Sequence, residues 1–162
     1  MLATLEYMVH NTRTWRKITS LLIPGLNDLD TELRDLSVWV RDHLGIEVPR
    51  HFSAFHPDWK MRDIPATPLA TLSRARNIAL AVGLHHVYTG NVHHVLGDAS
   101  HCRACGMLLV QRDCYEFQHY ALTSAGRCRC CCEPCAGHFA DVAGHWGRPR
   151  MAIKLACKPI RS

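Results

Sequence analysis

Eight of the nine cysteines fall between positions 102 and 135, and their spacing is that of a metal site. In Cys102-x2-Cys105-Gly106 two thiolates three apart can grip one ion, and the glycine takes the tight turn behind them without a Cβ clash. A second C-x2-C pair would complete a tetrahedral four-sulfur site, for which zinc is the expected ion. Two pairs have that spacing, Cys128/Cys131 and Cys132/Cys135, and the residues alone do not choose between them. Cys130 is then a spare thiol, and Cys114 and Cys157 stand apart as buried or free thiols. Between the pairs, the alternation Leu108, Val110 and Tyr115, Phe117 is that of a short β-hairpin, so the region reads as zinc-ribbon-like.

A second chemically dense stretch is HFSAFHPDWKM, residues 51–61. Two histidines, an acid, a tryptophan and a lysine sit where an apolar strand (Phe52, Ala54, Phe55) ends. In parallel α/β folds the loops at the carboxyl ends of the strands line the ligand crevice. His93 and His94 lack a further residue at metal-ligand spacing and read as a solvated turn.

The elements that must position these groups follow from periodicity. Residues 1–12 carry Leu2, Leu5, Met8 and Val9 on one helical face. A strand over 15–23 ends at Pro24-Gly25, and Asn27 or Asp28 is expected to cap the helix that follows. Leu33, Leu36, Trp39, Val40 and Leu44 recur at helical spacing, and Gly45 terminates that helix. After a strand over 50–56, Thr67-Pro68 is expected to open a third helix with Thr67 as cap. Its apolar face is Leu69, Leu72, Ala75, Ala79 and Val82, and Gly83 ends it. The third strand runs over 84–89 and stops at Gly90-Asn91. From Ile18 to Phe52 is 34 residues and from Phe52 to Val87 is 35, the length of βαβ crossovers in a parallel sheet. Two successive crossovers of one hand put their helices on one face, whereas a parallel sheet needs both covered. Three strands cannot close a barrel. The expectation is part of a larger barrel: residues 1–96 as half-barrel, 97–142 as ribbon module and 143–162 as irregular tail.

Composition narrows the partners. With 162 residues, 48% hydrophobic and 20% charged, the chain is ordinary globular protein with a formal charge of +5. Lys and Arg are scattered rather than blocked, which makes nucleic acid an unlikely partner. No run reaches the ~18 apolar residues of a membrane span, and the N-terminus lacks the pattern of a signal peptide. A cytoplasmic location is expected, and reduced thiols there favour metal over disulfides.

Several motifs together carry a resemblance: LLIPGLND (21–28), HFSAFHPDWKMRDIPATP (51–68), ARNIALAVGLHHVYTGNV (75–92) and the CxxCG…CxxC hairpin followed by Ala136-Gly137. In this order they resemble the radical SAM protein of the AmmeMemoRadiSam system, which is pyruvate formate-lyase-activating-enzyme-like. The resemblance runs to about residue 150. It implies an α/β fold, a partial parallel (β/α) half-barrel of radical SAM type followed by the small ribbon module. It also implies an enzyme in which a [4Fe–4S] cluster cleaves S-adenosylmethionine to a radical that takes hydrogen from a substrate. By the same resemblance, Phe55 and His56 contact the adenine, and Ile23, Pro24, Gly25, Gly90 and Asn91 border the pocket. Family members end in a second knuckle that aligns with Cys128 and Cys131, so the implied zinc ligands are Cys102, Cys105, Cys128 and Cys131.

The departures are as informative. The family's cluster-binding motif and the upstream half-barrel are absent, so an N-terminal radical SAM half or a protein substrate is the expected partner. Lys17 stands where the resemblance leads one to expect Glu, and Cys132 replaces the glycine of the second knuckle, which should strain it. Cys128, Cys132 and Cys135 do read C-x3-C-x2-C, the cluster spacing, but they follow the last barrel strand instead of the first. The alternative reading is a non-catalytic zinc-ribbon module contacting nucleic acid or protein, and a further one is metal sensing through the crowded thiols.

Overall fold

The computed structural model describes residues 2–113 and 116–144. The element order is α1 (Leu2–Asn11), β1 (Ile18–Leu22), α2 (Asp30–Trp39), β2 (Arg50–Ala54), α3 (Leu69–Val82), β3 (Val87–Gly90), β4 (Ala99–His101), β5 (Leu108–Asp113) and β6 (Glu116–Tyr120). Beyond Trp39 the α2 helix widens into a π-helical turn, Val40–Leu44, closed by Gly45 N–H donating to the Val40 carbonyl at 3.0 Å.

Strands β1, β2 and β3 form one parallel sheet in that order, with Leu22 opposite Ala54 and Ser53 opposite Gly90. One face is dry. Leu22, Phe52, Ala54 and Val87 from the strands meet Leu33, Val40 and Leu44 on the second helix and Leu72, Ala75 and Ala79 on α3. The period-2 alternation of β2 is complete, since Arg50, Phe52 and Ala54 are buried while His51 and Ser53 turn to the other face. Among the described residues that other face carries no helix: Thr19 and Leu21 of β1 are exposed on it, while Tyr88 of β3 meets the ribbon through Ser100 Oγ at 2.7 Å and Arg112. The helices therefore cover one face only, as the crossovers require. From α1, Leu5 and Val9 pack on the core, whereas Leu2 of the expected apolar face is half exposed.

Arg50 is the unexpected occupant of this core. It is fully buried, donates to Ser20 Oγ at 2.8 Å and to the Ile18 carbonyl at 3.4 Å, and lies 4.4 Å from the Phe52 ring centroid. Its Nε has no partner among the described residues, and burial pushes its pKa down to about 10.

Both expected helix caps are corrected. Leu29 and Pro68 occupy the N-cap positions and make no side-chain cap bond. Asn27 and Asp28 instead hold the turn after β1: Asn27 Oδ1 accepts from Ile23 N–H at 2.7 Å and Asp28 Oδ1 from Gly25 N–H at 2.9 Å. Thr67 is buried, and its Oγ accepts from Phe55 N–H at 2.8 Å while donating to the Leu22 carbonyl at 2.5 Å. One hydroxyl thus joins the ends of β1 and β2. Replacing it by valine leaves a buried donor and a buried acceptor unsatisfied, so Thr67→Val is expected to cost about 1–3 kcal/mol in a urea titration. Gly45 and Gly83 do end their helices at positive φ, 99° and 106°.

Strands β4, β5 and β6 make a separate antiparallel sheet. The expected inward pair Leu108 and Val110 is revised to Leu109 and Val110. The register slips at Ser100/His101, which face Val110 and Leu108, so Leu109 is the extra residue of a bulge. A bulge interrupts strict alternation and lets neighbouring side chains turn the same way. Leu109, Val110 and Leu122 with Cys102 and Cys128 form this module's small core. Of the other sequence expectations, Cys114, Tyr115, Cys157 and nearly all of the 143–162 tail lie outside the described residues.

Candidate functional site

The thiols of Cys102, Cys105, Cys128 and Cys131 lie within 4.8 Å of one another. Cys102 Sγ is 3.5 Å from Cys131 Sγ, and Cys105 Sγ is 3.8 Å from Cys128 Sγ. A tetrahedral zinc with bonds of about 2.3 Å needs sulfur–sulfur edges of about 3.8 Å. The donor set and its dimensions fit zinc.

The two knuckles repeat one backbone pattern. Cys102 N–H donates to the Met107 carbonyl at 2.8 Å and Gly106 N–H to the Cys102 carbonyl at 2.9 Å. In the second, Cys128 N–H donates to the Glu133 carbonyl at 2.9 Å and Cys132 N–H to the Cys128 carbonyl at 3.0 Å. Gly106 has φ 71° and its counterpart Cys132 has φ 63°. This equivalence settles why Cys132 is not a ligand: it occupies the turn position, where its left-handed backbone carries strain. Cys132→Gly is expected to stabilise the folded, metal-bound module by about 1 kcal/mol, read as a shift in thermal midpoint. Cys130 is exposed and Cys135 joins the small core instead of the sulfur cluster. Backbone N–H groups of Cys105 and Ala104 stabilise the Cys102 thiolate and bring its pKa to about 7 despite burial.

The metal site is tied to the parallel sheet by charge. Arg103, between two ligands, reaches Glu133 Oε1 at 2.7 Å and Glu47 Oε1 at 3.0 Å. Glu47 in turn meets His85 Nδ1 at 2.8 Å and His86 Nε2 at 2.9 Å.

At the other end of the sheet the parallel register brings the remaining sequence-predicted residues to adjacent strand termini. Ile23, Pro24 and Gly25 follow β1, Phe55 and His56 follow β2, and Gly90 and Asn91 close β3. Asn91, at φ 61°, donates through Nδ2 to the Ala54 carbonyl at 3.2 Å and so clips β3 to β2. Phe55 is buried, whereas His56 is exposed, its Nδ1 lying 3.3 Å from the Pro57 carbonyl.

A cavity of about 510 Å³ opens between the helix-free face of the sheet and the ribbon's Asp98 and Arg112. It takes in Gly90 and Asn91 but neither the Ile23 turn nor His56. Its walls include His51, from the dense stretch 51–61, and Lys17, the charge departure, together with Thr19, Ser53, Tyr88 and Arg112, which sequence reasoning did not single out. The readable signal was the polar alternation His51, Ser53 within an otherwise core-facing strand. Burial, then Lys17, Arg112 and Arg50, push the His51 imidazole down to about 4, so it is neutral at physiological pH. His94 bonds Thr89 Oγ at 3.0 Å, and His93 pairs with Asp113 at 2.8 Å. Among the described residues no helix is long and apolar enough to cross a membrane.

Comparison with known proteins yields one sequence relationship to report. An uncharacterized protein of Methanocaldococcus jannaschii is 42% identical over 120 residues, covering 74% of this chain and 36% of its own length. The chain thus spans about a third of that relative. No family model matches the chain, and no solved structure does.

Proposed function

We propose that the chain is the C-terminal part of a radical SAM enzyme of the AmmeMemoRadiSam type, supplying half of a barrel and a zinc-stabilised ribbon. One observation carries the reading: among the described residues three parallel strands have helices on one face only, with the turns at 23–25, 55–56 and 90–91 at their carboxyl ends. A ligand crevice belongs at that edge, and the bare face asks for further strands. A relative nearly three times as long as the matched segment leaves room for them.

In this reading His56 offers its imidazole to an adenine, with one donor and one acceptor edge. The Ile23-Pro24-Gly25 turn and the Gly90-Asn91 turn present backbone to the rest of the nucleoside. S-adenosylmethionine is the radical source in such enzymes, and the chain's part is to seat it and to keep water out. The residues present do not fit the [4Fe–4S] cluster. Cys128 belongs to the zinc set, Cys132 to its turn and Cys135 to the small core, so no chemical step is assigned to them.

The test is metal analysis followed by reconstitution. The chain alone is expected to hold one zinc in four-sulfur coordination and iron far below one cluster. Produced together with a polypeptide carrying C-x3-C-x2-C, it is expected to form a complex that releases 5′-deoxyadenosine from S-adenosylmethionine under reduction. A full complement of reducible [4Fe–4S] cluster in the chain by itself overturns the reading.

A further inference from the structure

The helix-free face of the parallel sheet, where the ribbon meets it, gathers three basic side chains. Lys17, His51 and Arg112 line the same 510 Å³ cavity, and a second hollow of about 520 Å³ toward Trp15 and Phe139 shares all three. Among the described residues Lys17, His51 and Arg112 make no side-chain hydrogen bond or ion pair, and the Arg112 guanidinium lies 5.9 Å from the Tyr88 ring centroid. Asp98, the carboxylate in the lining of the 510 Å³ cavity, accepts from the His94 backbone N–H at 3.4 Å; it feels the Arg112 charge but forms no ion pair with it. Ser53 adds a hydroxyl to the wall. The His51 ring packs at a tilt on Tyr88, with centroids 5.0 Å apart.

Cations of one sign gathered in a low-dielectric hollow concentrate counter-charge there. We propose that Lys17, His51 and Arg112 form an anion site between the helix-free sheet face and the ribbon, taking a carboxylate or phosphate group of a ligand. Guanidinium offers paired donors to either oxyanion, the ammonium adds a point charge, and the neutral imidazole adds one further donor. The inference stands on this cavity and does not depend on the radical SAM reading, since no residue of that reading other than Gly90 and Asn91 borders it.

The experiment titrates the whole chain with inorganic phosphate and, separately, with malonate in chloride buffer, by calorimetry and by following the His51 ring protons in NMR spectra. At least one anion is expected to bind and to raise the His51 pKa, because an anion favours the imidazolium. Lys17→Gln and Arg112→Gln are expected to weaken that binding at least tenfold, and Arg34→Gln, exposed on α2, less than twofold. Binding of phosphate alone identifies a phosphate ligand, and of malonate alone a carboxylate. The site is overturned if neither anion binds above chloride, if the three variants behave alike, or if His51 does not respond. The His51 readout in the unaltered chain decides the matter even where a variant fails to fold.

Discussion

Cys128→Ser, or chelation of the metal, is expected to unfold residues 97–142 and leave the parallel sheet intact. The ribbon's buried core consists of Cys102, Leu109, Val110, Leu122 and Cys128, so two of its five members are themselves ligands. Three aliphatic side chains contribute about 1.5–3 kcal/mol each, which is below the ordering cost of some forty residues. Structural zinc contributes an apparent free energy of about 10–16 kcal/mol in comparable small modules. A metal held by the four thiols is therefore expected to decide whether this module folds. Amide exchange should show protection lost across β4, β5 and β6 after chelation but retained in β2. Cys130→Ser, outside the sulfur cluster, should keep one zinc per chain. Acid acts in the same direction as chelation. Zinc binds thiolates, so its affinity falls as pH drops and protons compete for the sulfurs; within the cluster Cys102 is brought down to about 7 while neighbouring thiols push Cys105 and Cys131 up. A module that stays protected without metal contradicts the account.

Phe52→Ala is expected to destabilise the parallel-sheet module by about 3–5 kcal/mol. Phe52 is fully buried at the middle of the central strand, with Leu22, Leu72 and Ala75 in the same core. Its ring also carries the Arg50 guanidinium at 4.4 Å. That cation has no acidic partner among the described residues, and the ring face is its main electrostatic compensation beyond two weak acceptors. Truncation opens a cavity and strips a buried charge of a contact, which places the loss at the upper end of the range. The urea midpoint should fall with the slope unchanged. A loss below about 1 kcal/mol would show that the core collapses around the gap.

The sequence by itself determined the elements and the metal knuckles, because both are set by short spacings. Helical and strand periods located the three strands and the helices between them, and two C-x2-C pairs defined the sulfur site. Local pattern misled at the caps. Thr67 has the residue type of an N-cap, yet its hydroxyl bonds Leu22 and Phe55, 45 and 12 positions away, and no local rule anticipates that. Spacing alone left the pairs Cys128/Cys131 and Cys132/Cys135 equal and only the resemblance favoured the first; the folded chain brings the thiols of that pair within 4.8 Å of those of Cys102 and Cys105. Tertiary structure alone put Arg50 indoors and gathered Lys17, His51 and Arg112 on one face. Those three come from different strands or their approaches, and their union exists only once the parallel register and the ribbon's docking bring distant segments side by side.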